Sequence, residues 1–241
     1  MKIAIPSKAR PEIITLDLIK SNEIYIFVEP QDLNDYKKYK GRVKKIVNIE
    51  KNDQGIVYVR NFILDYFKQG DEVMMLDDDV QGFYRMSGKE LIKIEVEDTM
   101  KLFEKSFKIC QNGGSKLWGF YPIANAFYMS CKNPINVKGF IIATACGIVV
   151  SDLRFEEEAG LKEDYDFTMQ HIKKFGKVLR WNCYAVKAKH YKNKGGLTEI
   201  RTKEKEKKVC DYLKKKYPGA IVDNPRRENE VLIRINKVKE V

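Results

Sequence analysis

A run of four apolar residues, Val73-Met74-Met75-Leu76, passes directly into Asp77-Asp78-Asp79 and then Val80-Gln81-Gly82. The run has the length and composition of a strand buried on both faces. Its carboxyl end therefore delivers three adjacent carboxylates to the border of a sheet. Like charges side by side repel one another, and packing them is costly unless solvent or a cation relieves the repulsion. A hard divalent ion bridging to phosphate oxygens is one such relief, because Mg²⁺ and Mn²⁺ favour carboxylate and phosphate ligands. Taken alone, three acids after a core strand serve equally well as a polar turn, so the rest of the chain has to decide.

The N-terminal third alternates strands with short helical patterns. Residues 2–5 read as a strand, followed by a loop with two prolines and two cations, Pro6-Ser7-Lys8-Ala9-Arg10-Pro11. Ile13, Leu16 and Ile19 have helical spacing, residues 23–28 form a second strand ending at Glu29-Pro30, residues 33–39 are helical and residues 43–49 a third strand. Such alternation predicts an α/β fold built on a parallel sheet with crossover helices. These sheets bind ligands beyond the carboxyl ends of their strands, where the Pro6 loop, Glu29 and the three acids fall. Next, a turn carrying Gln54 and Gly55 opens a helix with apolar positions Ile56, Val59, Ile63, Tyr66 and Phe67, stopping at Gly70. Its free N-terminal amides suit an anion, with Arg60 one turn in.

Further on, residues 84–88 read as a turn leading to a hairpin strand at 91–96, and residues 97–110 as an amphipathic helix. Residues 117–120 and 126–129 look like strands. The apolar stretch 139–150 suits burial on both faces, with Gly147 allowing close approach of a ligand or another backbone. Acids concentrate again at Glu163-Asp164-Tyr165-Asp166, at the start of a helix that closes at Gly176. The helix dipole favours their ionised form there, which suits capping as well as chemistry. A strand over 178–186 leads to His190, Lys192 and a Gly- and Lys-rich loop suited to cradling phosphate. A charged helix over 199–217, with a thin apolar side at Val209 and Leu213, precedes a last strand at 230–235.

At 241 residues the chain suits one large domain with an appendage: residues 1–198 as the catalytic body and 199–241 as a basic extension packed on it. No run approaches 18 apolar residues, and the N-terminus reads as a strand rather than a leader. The five cysteines form no CxxC pair and read as free thiols in a reducing compartment, hence a cytoplasmic location. The net charge of +11 is concentrated: residues 186–241 hold 17 Lys or Arg against 8 Asp or Glu, a net +9. A basic quarter on a near-neutral body suits a polyanion such as nucleic acid, with residues 203–216, Arg226 and Arg227 supplying phosphate contacts. A solvated lysine-rich helix accounts for the same composition.

The ordered set Ile5-Pro6-Ser7-Lys8-Ala9-Arg10-Pro11, Val28-Glu29-Pro30, Asn52-Asp53-Gln54-Gly55 through Arg60-Asn61, Met75-Leu76-Asp77-Asp78-Asp79-Val80 and Glu163-Asp164-Tyr165-Asp166 resembles GT-A type glycosyltransferases, nucleotide-sugar enzymes with a DxD motif. More narrowly, it is similar to the bacteriophage TET-associated glycosyltransferases, thought to glycosylate hydroxymethylated pyrimidines in DNA. The resemblance spans roughly residues 1–200 and implies a mixed, mostly parallel sheet flanked by helices. It implies that Pro6, Ser7, Arg10 and Glu29 line the nucleotide pocket, with Gln54, Gly55 and Arg60 near base or phosphates. Asp77 and Asp79 would hold Mn²⁺ or Mg²⁺ against the diphosphate of a donor such as a UDP-sugar, Asp77 and Asp78 touching that donor. His190 matches a late metal ligand, and Lys192 would neutralise the leaving diphosphate. Asp164 matches the general base of inverting members, with Glu163 and Asp166 as alternatives. Double-stranded DNA bearing 5-hydroxymethylcytosine or 5-hydroxymethyluracil would be the acceptor, in the host cytoplasm if phage-encoded. Trp118, Phe120, Tyr121 and Tyr128 are candidates to contact a flipped base, although dense aromatics usually mark a core.

The residue types fit this chemistry independently. Breaking a sugar–phosphate bond releases an anionic nucleoside diphosphate that a divalent cation and a lysine stabilise. The acceptor hydroxyl must lose its proton as the new bond forms, which calls for a carboxylate not sequestered by metal. A transferase acting on a cell-surface glycan or protein, a two-metal nucleotidyltransferase, and a non-catalytic nucleic-acid-binding module remain alternatives. The lack of a Gly-rich phosphate loop after the first strand weighs against nucleotidyl transfer.

Overall fold

The computed structural model describes residues 1–189 and 202–234. Its centre is a sheet in the order β3 (Lys45–Asn48), β2 (Ile24–Val28), β1 (Lys2–Pro6), β4 (Glu72–Leu76), β9 (Ala145–Val149), β7 (Leu117–Tyr121), β10 (Leu179–Ala188), β5 (Val80–Ser87) and β6 (Glu90–Lys93), with β8 (Ile135–Asn136) also pairing with β10. The pairings are parallel among β1–β4 and between β7 and β10, while β9, β5 and β8 run opposite to their neighbours. The sheet is thus mixed and mostly parallel, as a GT-A type fold implies, where the strand–helix alternation alone predicts a parallel one. Its forward strands end on one border at Pro6, Val28, Leu76 and Tyr121, which places the Pro6 loop, Glu29 and the three acids together.

Strand β4 shows how the core is split. Met74 and Leu76 face one apolar layer, with Phe103 and Phe107 of α2 (Val96–Asn112). Val73 and Met75 face the other, with Ile63 of α1 (Ile56–Tyr66) and Phe167 and Ile172 of α3 (Glu163–Phe175). Alternate residues of a strand point to opposite faces, so an unbroken apolar run is what two helical layers require. A third apolar cluster fastens the C-terminal part. Val209, Cys210 and Leu213 of α4 (Lys203–Lys216) meet Ala159 and Met169, along with Ile221 and Val231 of the hairpin β11 (Ile221–Asp223) and β12 (Val231–Ile233).

Several local expectations are corrected. Residues 84–87 belong to β5 rather than to a turn, and the reversal comes at Gly88, whose φ is +60°. Residues 126–129 form a single 3-10 turn capped by the Asn125 side chain, not a strand. Of the apolar stretch 139–150 only Ala145–Val149 is strand; residues 139–144 loop past α3, where the Ile141 amide donates to Thr168 Oγ1. Residues 33–39 hold only one short 3-10 turn, Lys37–Tyr39, after another at Pro30–Asp32. The five cysteines are all unpaired thiols. No helix among the described residues is long and apolar enough to cross a membrane.

Trp118 and Phe120 lie fully inside the core, so neither reaches an acceptor base. Trp118 also explains Gly147, its direct cross-strand partner: a Cβ there would sit 1.8 Å from the indole Nε1. The close approach that Gly147 permits is that of a side chain, not a ligand. Gly147→Ala is expected to displace the indole and cost about 1–3 kcal/mol of stability, read as a lower denaturant midpoint with unchanged slope.

Candidate active site

The three acids leave β4 in different directions. Asp78 is buried and turns back into the fold: Ser7 Oγ donates to its Oδ2 at 2.5 Å and Arg10 Nη1 to its Oδ1 at 3.0 Å. Ser7 Oγ also meets the Tyr36 hydroxyl at 2.7 Å, and the Arg10 amide donates to that hydroxyl at 3.1 Å. Burial pushes the Asp78 carboxyl up to about 6 against the help of Ser7 and Arg10, with the charges of Asp77 and Asp79 adding to the rise. Ser7 and Arg10, implied by the resemblance to line the nucleotide pocket, therefore fasten the Pro6 loop to the middle acid. Thr15 completes the brace. Its Oγ1 donates to the Asp77 carbonyl at 2.6 Å and accepts from the Val80 amide at 2.9 Å, spanning the acid turn from outside. A lone Thr in a helical pattern carries no sequence signal for this role, nor does Tyr36.

Asp77 and Asp79 flank the buried acid and keep part of their side-chain surface open, 27% and 17%. Asp77 Oδ1 lies 3.4 Å from Arg60 Nη2, and Asp79 Oδ2 lies 3.6 Å from Arg10 Nη1. Among the described residues, no cluster of three or more His, Cys, Asp or Glu side chains forms a self-sufficient metal cage. The two open carboxylates are hard oxygen donors, a set that suits Mg²⁺ or Mn²⁺ completed by water and phosphate rather than a closed protein site. His190 and Lys192 lie outside the described residues. The last described residue before them, Lys189, donates its amide to the Asp79 carbonyl at 3.1 Å, so the end of β10 is pinned to the acid turn.

Glu29, 1% exposed, organises the neighbouring loop. Its carboxylate accepts the amides of Asp53 and Gln54, each at 2.9 Å, along with Lys8 Nζ at 2.9 Å and Gln31 Nε2 at 2.8 Å. This carboxylate holds the turn that precedes Gly55, the residue before the first turn of α1. Gln54 folds its side chain onto the Asn52 carbonyl at 2.8 Å.

Arg60, which the resemblance implies to lie near base or phosphates, reaches the acid turn from inside the fold. It is buried, with Nη1 bonded to Glu163, Nη2 directed at Asp77 and its guanidinium 5.6 Å from the Phe155 ring. Burial works against its charge, and the carboxylates of Glu163 and Asp77 more than offset that, raising its pKa. One guanidinium thus ties the acid turn of β4 to the first turn of α3.

The three acids opening α3 divide three ways. Glu163 is buried against Arg60. Asp166 is fully buried and faces the C-terminal extension, bonded by Lys216 Nζ at 2.7 Å, Tyr217 Oη at 2.8 Å and Gln170 Nε2 at 2.5 Å. It is a strut between α3 and the extension, away from Arg60 and Asp77. Asp164 is only half-buried and forms no ion pair among the described residues; its Oδ1 accepts the Tyr165 amide at 2.9 Å. Surrounding protein and then the Glu163 charge push its carboxyl up to about 7, with Arg60 opposing. A partly open carboxyl that exchanges its proton near neutrality is equipped for acid–base chemistry.

The basic extension is less available than its composition implies. Lys214 is paired with Asp211 and Asp223, and Lys216 with Glu156 and Asp166. Of the remaining aromatic candidates, Tyr121 lies beneath the Arg180 guanidinium, 4.9 Å from ring centre to Cζ, and Tyr128 is exposed. Phe127, which the sequence reading missed, is 85% exposed beside Tyr128 on the same Asn125-capped turn.

Solved structures share this fold at low identity. S. aureus TarS in complex with UDP superposes with a TM-score of 0.54 at 15% identity, over 89% of this chain and 66% of that one. This chain therefore spans just under two thirds of the TarS structure's length. A mycobacterial protein superposes with a TM-score of 0.53 at 11% identity, over 93% and 80%. No curated protein matches the sequence. Residues 1–196 match the TET-associated glycosyltransferase family. With a GT-A type sheet and its acid turn behind it, the chain belongs to the TET-associated glycosyltransferase family.

Proposed function

We propose that the protein transfers a sugar from a nucleotide-sugar donor to the hydroxyl of a hydroxymethylated pyrimidine in DNA, with Asp164 as the general base. The observation that carries this reading is the Arg60 bridge. It joins Asp77, on the acid turn, to the start of the helix bearing Asp164, a carboxyl poised near neutrality. A donor diphosphate held at Asp77 and Asp79 would thus lie on the sheet border that also carries the base.

Asp77 and Asp79 would hold Mn²⁺ or Mg²⁺, which supplies charge for the departing diphosphate. Asp78, Ser7 and Thr15 anchor the turn between the two ligands and so fix it against their mutual repulsion. His190 follows directly in sequence on the residue whose amide is bonded to Asp79, which suits it as a further ligand, and Lys192, two residues later in the chain, would be the cation for the leaving group. Asp164 takes the proton of the acceptor hydroxyl as the glycosidic bond forms, and its raised pKa makes it a stronger base than an ordinary aspartate. Family membership supports the sugar transfer, and the UDP bound by TarS supports a uridine nucleotide donor. Phe127 and Tyr128, presented to solvent on a capped turn, suit insertion beside an unstacked base.

The direct test incubates hydroxymethylated DNA with the protein, Mn²⁺ and a panel of UDP-sugars, then digests it and weighs the nucleosides. A hexose or pentose increment on the modified pyrimidine is expected. No increment with any donor refutes the DNA acceptor. Asp79→Ala should abolish Mn²⁺-stimulated hydrolysis of the donor while the protein still folds, read as a cooperative thermal transition, since Ser7 and Arg10 still hold Asp78. Undiminished hydrolysis removes the metal role.

A further inference from the structure

A cleft of 590 Å³ opens between the loop carrying Lys138, Gly139 and Phe140, the first turn of α3 at Tyr165, Arg180 of β10, and the C-terminal strand with Arg234. Three cations line it. Among the described residues no carboxylate pairs with any of them, and the nearby acid Glu230 is taken up by Lys162 at 3.1 Å. Arg180 is the most constrained. Its guanidinium is stacked on Tyr121, and its Nε and Nη2 both donate to Asn182 Oδ1, at 3.2 and 3.0 Å. It also lies directly on the Gly139 backbone, where a Cβ would come within 2.6 Å of Nε. Burial lowers its pKa, opposed by the Tyr121 phenol. A planar cation held rigid, half-buried and without a carboxylate partner among the described residues is preorganised for an anion brought from outside.

The opposite wall is aromatic. Phe140 and Tyr165 stack with ring centres 4.3 Å apart and planes at 29°. Tyr165 is the residue next to Asp164, so the cleft adjoins the base. Cations beside a stacked aromatic pair match the backbone and bases of a nucleic-acid strand better than a neutral glycan. The last wall, Val231 to Arg234, lies beyond the family match, which ends at residue 196. The C-terminal extension is fastened there through the Asp166 strut and the third apolar cluster.

Resting on the DNA acceptor reading above, we infer that this cleft is the acceptor-strand site: Arg180, Lys138 and Arg234 hold backbone phosphates, the Phe140–Tyr165 pair meets a base, and the extension exists to complete it. The assignment moves DNA contact from the exposed face of α4 to the junction of extension and body.

The test measures fluorescence anisotropy of a short labelled hydroxymethylated duplex with the full chain, across a salt series, and UDP binding by calorimetry. Arg180→Gln is expected to weaken duplex binding about tenfold or more, as loss of a charge-assisted contact does, and to lower the salt slope by about 0.9. UDP binding should stay unchanged. Arg234→Gln removes an exposed cation with little risk to folding and should lower the slope likewise. Lys207→Gln combined with Lys208→Gln, on exposed α4, should have the smaller effect. Wild-type binding that survives both cleft substitutions, or is lost mainly through the α4 pair, overturns the cleft assignment and leaves the DNA reading standing. Absence of wild-type duplex binding at low salt overturns both.

Discussion

Asp164→Asn is expected to remove sugar transfer and to make the protein more stable above neutral pH. As general base, its loss should lower kcat by about 10²–10⁴-fold. The stability gain follows from linkage. The folded carboxyl titrates at about 7 rather than at its ordinary 3.8, so the folded state binds this proton more tightly than the unfolded chain. A carboxyl raised in this way subtracts stability as pH climbs from about 4 to about 7, and the deficit is complete above that range. Its surface is partly open, so the deficit at pH 8 should be about 1–3 kcal/mol, below what the full shift would imply. Asn keeps an oxygen for the Tyr165 amide and carries no charge. Thermal midpoints of the variant and wild type should therefore coincide at or below about pH 4 and diverge in favour of the variant at pH 8. The wild-type kcat/KM should fall about tenfold per pH unit below about 7. A variant that retains transfer would shift the base to Glu163.

Arg60→Met carries the second large effect. Arg60 shares its guanidinium between Glu163 and Asp77. Removing one member of a buried ionic cluster leaves the others uncompensated, at a cost of about 3–5 kcal/mol. Combining Arg60→Met with Glu163→Gln removes the stranded charge as well and should recover a substantial part of that stability without restoring activity. Denaturant midpoints of the single and double variants decide the point. Equal losses would mean that packing on Phe155, rather than charge, is what Arg60 supplies. Activity should stay low in both because the base-bearing turn loses its tie to the acid turn of β4.

Much of this architecture was legible in the residues. The unbroken run before the three acids predicts a strand covered on both faces, and β4 is buried between α1 and α3 on one side and α2 on the other. Helical spacing located α1, α2 and α3, and Gly176 closes α3 with a φ of +74° as a terminating glycine should. The gathering of the Pro6 loop, Glu29 and the acids at one border follows from parallel topology alone. The partition of the two acid clusters was only partly legible. Asp164 and Asp166 stand two residues apart on a helix, about 200° around its axis, so they had to face different neighbours. Helical geometry separates them but does not say which one meets the site.

What the sequence determined by itself is the set of elements and the order in which acids arrive at their ends, because strand and helix periodicities are local. The tertiary structure decided what each acid does. Asp78 turns inward because Ser7 and Arg10, some seventy residues earlier, supply its donors. Arg60 became a clamp because Glu163, 103 residues later, reaches it across the sheet border. Asp166 became a strut because Lys216 and Tyr217 fold back onto it. A carboxylate's role depends on whether donors meet it inside the fold or leave it to a ligand, and those donors come from chain segments whose proximity only packing creates.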